Sequence, residues 1–182
     1  MFSRALLIID MLNDYLDRWQ PDARVALIEA INDLIAAFRS HRLPVIWVRQ
    51  EFKADLSDAF PEMRSKSIAI TIEGTRGAQL ADALHSRADD QTIIKKRYSA
   101  FFETSLSEIL DELGVTELIL CGINTHACIR TTAIDAYQRD LQVIIATDCI
   151  GSYDAEHARI SLDYMSDRIA TLLSNSKIKA TL

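Results

Sequence analysis

The chain has 182 residues, of which 49% are hydrophobic and 25% charged, the profile of an ordinary globular protein with apolar material for one sizeable core. Twenty Lys and Arg against 26 Asp and Glu leave a formal charge of -6 without any basic block, which argues against nucleic acid or an anionic membrane surface as partner. Five Gly and three Pro are too few for a linker-rich chain, and no apolar stretch is long enough to span a bilayer.

Apolar runs alternate with helical patterns along the sequence, the mark of βαβ units on a parallel sheet. In chain order, short apolar runs at 5–9, 44–48, 91–94, 117–121, 142–146 and, more weakly, 169–173 read as strands buried on both faces. Between them, 23–39, 77–84, 104–113, 125–139 and 154–164 carry the three-to-four spacing of amphipathic helices, with Gly114 as a helix C-cap. Segment 49–76 lacks periodicity and is long for a connection, so it is expected to act as a lid or an interface. No repeat or linker divides the chain, and a single domain over 1–182 is expected. The first apolar run is shorter than a signal peptide's core and is closed by Asp10 and Asp14, which favours a strand and a cytoplasmic protein. Three cysteines, Cys121, Cys128 and Cys149, with no CxxC, disfavour a disulfide framework or a zinc site and leave at least one free thiol.

Ligands of open parallel sheets bind beyond the carboxyl ends of the strands. The residues there are Asp10 after the first run, Lys95 after the third, and the sequence from Cys121 through Asn124, Thr125 and His126 to Cys128 after the fourth. Cys128 falls in the first turn of a helix, where unpaired N–H groups and the dipole favour thiolate; its alternative is a small buried hydrophobe. Asp10 could exchange a proton with the thiol or a leaving group, or cap the next turn. Lys95 could supply a positive charge to both, with Lys96 its rival because a one-residue slip changes which side chain points inward. His126 lies two residues from Cys128, which on a helix does not make a facing pair. No HxH, HExxH, GxGxxG or Walker-type pattern occurs, so neither a metal nor a nucleotide cofactor is expected.

Four segments carry a resemblance to a known family: LLIIDMLNDY, IIKKRYSAFFET, LCGINTHACIRTTAIDA and VIIATDCIGSYDAEHA, with EGTRGAQL as a weaker fifth. The chain resembles the isochorismatase-like cysteine hydrolases, the group that also holds nicotinamidases, N-carbamoylsarcosine amidase and ureide amidohydrolases. The resemblance implies an α/β three-layer sandwich, a six-stranded parallel sheet in Rossmann-like order 3-2-1-4-5-6 flanked by helices. It also implies a catalytic triad of Asp10, Lys95 and Cys128, Lys95 rather than Lys96 because the family lysine directly precedes an x-R-Y-S-A-F-type run. A cis peptide is implied between Ile123 and Asn124, with the backbone N–H groups of Asn124 and Cys128 as oxyanion hole.

Two departures narrow the activity. Nicotinamidases carry an Asp-x-His motif and a further histidine after the second strand, where this chain reads WVRQEFKADLSDAF, so the metal site and nicotinamide are not expected. Isochorismatases proper usually lack the nucleophilic cysteine that is present here as Cys128, which points to C–N hydrolysis through a thioester. A vinyl-ether hydrolase, a non-catalytic binding protein of the same fold and a thiol redox sensor are the competing readings. Tyr15, Trp47, Arg97, Tyr98, Phe101 and Tyr153 are candidate pocket residues; Arg97 could pair with a substrate carboxylate or bridge structural acids. The expected partners are a small-molecule substrate and, through the resemblance, further copies of the same chain in a homo-oligomer.

Overall fold

The computed structural model describes residues 3–166 and 168–182. Six strands form one sheet in the order β3-β2-β1-β4-β5-β6: β1 (Ser3–Ile9), β2 (Val45–Gln50), β3 (Gln91–Lys95), β4 (Val115–Ile123), β5 (Gln142–Gly151) and β6 (Thr171–Leu173). Every pairing is parallel, which puts all six carboxyl ends on one edge. The helices are α1 (Asn13–Leu16), α2 (Pro21–Ser40), α3 (Pro61–Lys66), α4 (Leu106–Glu112), α5 (Arg130–Tyr137), α6 (Ala155–Ser166) and α7 (Asn175–Lys179).

Strand alternation sorts the apolar residues into two cores, one on each face of the sheet. Ala5, Leu7 and Ile9 of β1 with Leu118 and Leu120 of β4 pack against Leu106 and Leu110 of α4, Ala133 and Ala136 of α5 and Met165 of α6. On the other face, Leu6, Ile8, Trp47, Ile119 and Cys121 meet the stripe Leu27, Ile28, Ile31, Leu34, Ile35 and Phe38 of α2, together with Ile178 of α7. The result is a three-layer α/β sandwich. Among the described residues no helix is long and apolar enough to cross a membrane.

The central strands are buried on both faces, but β3 alternates, with Ile93 buried and Ile94 exposed. It is an edge strand, so one of its faces stays in water. The helix expected at 77–84 is absent apart from a single 3₁₀ turn, Arg76–Ala78. Its backbone is used elsewhere: the carbonyls of Arg76, Gln79 and Leu80 accept from Asn13 Nδ2, and Leu80 bridges to Leu12. Gly77 leaves the room that the Asp14 carboxylate occupies. Gly114 caps α4 in the left-handed region, at φ 64°.

Segment 49–76 is ordered by a small core of its own, in which Phe52, Ala59 and Met63 are covered by Leu56, Phe60, Ile70 and Ile72. Phe52 exchanges backbone hydrogen bonds with Thr71 and Glu73, and Asp14 Oδ2 accepts from the Thr71 N–H at 2.7 Å. Those contacts lay α3 over the carboxyl edge of the sheet.

Candidate active site

Asp10 follows β1 at φ 56°, in the left-handed region that Asp and Asn tolerate better than most side chains. That turn aims its carboxylate across the strand ends and into the protein, where the residue is 1% exposed. Oδ1 accepts from the Gln50 N–H at 2.9 Å, and Oδ2 lies 2.7 Å from Lys95 Nζ. Lys95, fully buried, donates to the Arg97 carbonyl at 3.1 Å and to Cys128 Sγ at 3.4 Å. An acid, a base and a thiol therefore touch in sequence at one point of the edge. The pleat decides between the two lysines: Lys95 points inward like Ile93, whereas Lys96 turns out to bond the Glu51 carbonyl at 2.6 Å and Asp58 at 2.9 Å.

Cys128 sits in a π-helical turn, Thr125–Ile129, that leads into α5. Asn124 opens that turn: its carbonyl accepts from Ala127 and Ile129, and the Ile123–Asn124 peptide is cis. Gly122, just before, has φ 111°, and a β-carbon there would overlap the Ile9 carbonyl oxygen, so only glycine lets β4 approach the end of β1 this closely.

Electrostatics differ from the thiolate expected for a cysteine in a first helical turn. Burial pushes the Cys128 thiol up to about 12; Lys95 opposes this, and the Asp10 carboxylate adds to it. The resting group is a thiol facing a carboxylate. Burial alone would lower Lys95, but attraction to Asp10 and the sulfur outweighs it and the net shift is upward. The Tyr15 phenol is likewise raised well above its ordinary value, by burial first and then by the Asp10 charge, and it donates to Gln50 Oε1 at 2.6 Å.

The three groups lie below a cavity of 830 Å³ that reaches Asp10, Asn124 and Cys128. Of the six candidate pocket residues, Tyr15, Tyr98 and Tyr153 line it. The other three do not. Trp47 lies on the α2 face of β2, with its indole N–H donating to Asp90 at 2.8 Å. Phe101 belongs to the opposite core, beneath the Arg139 guanidinium. Arg97 stands behind the wall, bonded to the carbonyls of Asp58 and Lys96 and stacked over the Phe60 ring.

Residues without a sequence signal add to the lining, among them Arg18 and Trp19 after α1, Gln50 at the end of β2, and Phe60 and Met63 around α3; His126, placed near Cys128 from sequence, lines it too. No local pattern marks them; Phe60 and Met63 reach the cavity only through the path of segment 49–76. His126 Nδ1 is 2.6 Å from Ser152 Oγ, its ring meets Tyr153 edge-on, and burial lowers its basicity. Cys121 and Cys149 are buried free thiols in the α2-side core, away from the cavity. Among the described residues no group of three or more His, Cys, Asp or Glu is arranged to hold a metal ion.

The Isochorismatase domain family matches residues 4–177. The chain belongs to that family. It is 33% identical over 179 residues to a probable inactive nicotinamidase from Arabidopsis thaliana, covering 93% of this chain and 91% of that one. Among solved structures, an isochorismatase family protein from Desulfovibrio vulgaris superimposes with a TM-score of 0.91 at 27% identity, covering 100% of this chain and 98% of that one. N-carbamoylsarcosine amidase from Thermoplasma acidophilum gives 0.81 at 26% identity, with 96% and 97% covered. The six-stranded parallel order is thus the family's fold, and the protein is placed among isochorismatase-like hydrolases.

Proposed function

We propose that the protein is a cysteine-dependent hydrolase that cleaves a C–N bond of a small amide or ureide through a thioester. The observation that carries this reading is the buried contact chain of Asp10, Lys95 and Cys128 at the floor of an 830 Å³ cavity. A thiol held near 12 next to a carboxylate suits proton transfer in concert with attack rather than a standing thiolate.

In the proposed cycle the Cys128 S–H proton passes to Asp10 as sulfur bonds to the substrate carbonyl carbon. The oxyanion is held by the N–H groups of Asn124 and Cys128, which sit at the start of a helical turn, where backbone donors lack intrahelical partners. Asn124 Oδ1, buried and without a protein partner among the described residues, is a free acceptor for a substrate N–H. Collapse breaks the C–N bond, and the proton on Asp10 leaves with ammonia or the amine. Water then attacks the thioester, giving its proton to Asp10; the C–S bond breaks, the acid departs, and the proton returns to sulfur. Lys95 keeps its charge throughout and compensates the negative charge that moves between Asp10, sulfur and the oxyanion.

The amidase among the structural neighbours supports C–N chemistry. The plant relative is described as a probable inactive nicotinamidase, and this chain has WVRQEFKADLSDAF where nicotinamidases carry their metal-binding histidines. Nicotinamide is therefore not the substrate proposed. Ammonia release from a panel of small amides and ureides tests the reading: turnover is expected in the native protein and a loss of at least about 10³-fold in Cys128→Ser. Turnover that survives Cys128→Ser, or a panel on which the native protein is inert while cleaving a vinyl ether, overturns it.

A further inference from the structure

The charged residues lining the cavity are Asp10, Arg18 and Glu62. Two of them are committed. Asp10 is paired with Lys95, and Glu62 lies 2.6 Å from Lys66. Arg18 forms no ion pair or side-chain hydrogen bond among the described residues, although acids surround it in sequence. Those acids are already engaged: Asp17 Oδ1 takes Arg24 and Oδ2 takes Arg76, while Asp14 Oδ2 takes the Thr71 N–H.

Arg18, exposed to solvent, lines the cavity. It follows α1, and helical spacing puts Tyr15, Arg18 and Trp19 on one face of that turn, all three lining the cavity. Backbone bonds from Arg18 to Tyr15 and from Trp19 to Leu16 continue the turn, and Asn13 ties its start to three carbonyls. The Trp19 indole anchors its end by filling the space where a β-carbon of Gly151 would lie. The next residue, Ser152, holds His126 on the same rim. The arginine considered from sequence for a carboxylate, Arg97, is spent on the Asp58 and Lys96 carbonyls, so the free guanidinium at this site is that of Arg18.

Building on the hydrolase reading above, we infer that Arg18 is the specificity-determining residue, and that it selects small amides or ureides carrying a carboxylate. A guanidinium offers two parallel N–H donors matched to a carboxylate, and Tyr15 and Trp19 line the cavity beside it. The acid group would lie at the mouth while the scissile carbonyl reaches Cys128 at the floor.

The test uses two pairs of compounds of matched shape: succinamate with 4-methylpentanamide, and N-carbamoylglycine with isobutylurea. Each is measured for ammonia release and, by calorimetry on Cys128→Ser protein, for binding. The acid of each pair is expected to bind more tightly and to have the higher kcat/KM. Arg18→Ala should shrink the acid-to-neutral ratio by roughly 10- to 100-fold, mainly through KM, and Arg18→Lys should fall between, as for loss of a charge-assisted bond. Equal binding of acid and neutral partner to Cys128→Ser protein, no detectable binding of either acid, or a preference that survives Arg18→Ala would overturn the inference. Tight acid binding that depends on Arg18, with no ammonia released from any of the four by native protein, sustains Arg18 as the carboxylate site and counts against the hydrolase reading instead.

Discussion

Lys95→Met removes the cation from the contact chain while keeping most of the side-chain volume. In the native protein Lys95 is fully buried and Asp10 is 1% exposed, so neither charge has water to fall back on. Lys95 Nζ stands 2.7 Å from Asp10 Oδ2, and the other carboxylate oxygen keeps only the Gln50 N–H. Breaking a buried pair by deleting one partner leaves an uncompensated charge and costs about 3–5 kcal/mol. The loss is read as the change in urea-unfolding free energy at pH 7. Asp10→Asn in the same chain removes the stranded charge and suits φ 56°, so the double variant should recover part of the loss, with a coupling of at least about 1.5 kcal/mol. The pH dependence has a definite sign. Because the folded Lys95 value is raised, its contribution is fully present below the ordinary lysine value of roughly 10.5 and is lost only as pH rises through the higher folded value. The gap between native and Lys95→Met protein should therefore be constant from neutral pH to about 9 and narrow above roughly 10.5. A single variant within about 1 kcal/mol of native, or a strictly additive double variant, would refute the buried-pair reasoning.

Two further outcomes follow from the same geometry. With Cys128 pushed up to about 12, its alkylation by iodoacetamide, read by peptide mass spectrometry, should climb roughly tenfold per pH unit from 7 to 10, and a plateau near 8.5 would contradict the burial argument. At the glycines the neighbour decides the cost: Gly122→Ala drives a methyl into the Ile9 backbone at positive φ and should lose more than about 4 kcal/mol or fail to fold. Gly151→Ala meets side chains rather than backbone, chiefly the Trp19 ring, which can shift, and then Leu27, and should cost about 1–3 kcal/mol in urea unfolding; a milder Gly122→Ala than Gly151→Ala would contradict the close approach of β4 to β1.

Much of the fold was legible because each central strand is buried on both faces and so reads as an unbroken apolar run, as in Ala5 to Ile9 and Leu118 to Cys121. Strand ends were less so. β5 continues past a register shift to Gly151, and its polar residues Thr147 and Asp148, both exposed, hide that extension. The short helices α3 and α7 had signals, Pro61 at a first helical position and Ser174 capping Lys177, but too few residues to show periodicity. The 77–84 pattern misled because its carbonyls serve Asn13 instead of one another, a tertiary use that no local pattern records. At the site, Asp10, Lys95 and Cys128 were legible as candidates because each ends a strand or starts a helical turn on the same edge, and the structure brings them into contact. The cavity wall was legible only in part, through Tyr15, Tyr98 and Tyr153, because it depends on which face a side chain takes. Trp47 and Gln50 share β2, yet the indole enters the α2-side core while Gln50 lines the cavity.

Rapid acid quench during turnover of the best panel compound, followed by mass spectrometry of the Cys128 peptide, shows whether the proposed thioester between Cys128 and the substrate acyl group forms. A mass increase equal to the acyl group is expected on Cys128, removed by hydroxylamine, while the peptides of Cys121 and Cys149 are unchanged. Any adduct formed in Asp10→Asn should persist longer, because the proposed cycle uses the same carboxylate to activate the hydrolytic water. Turnover with the Cys128 peptide always at its unmodified mass, at quench times that resolve a single cycle, would contradict the proposed thioester.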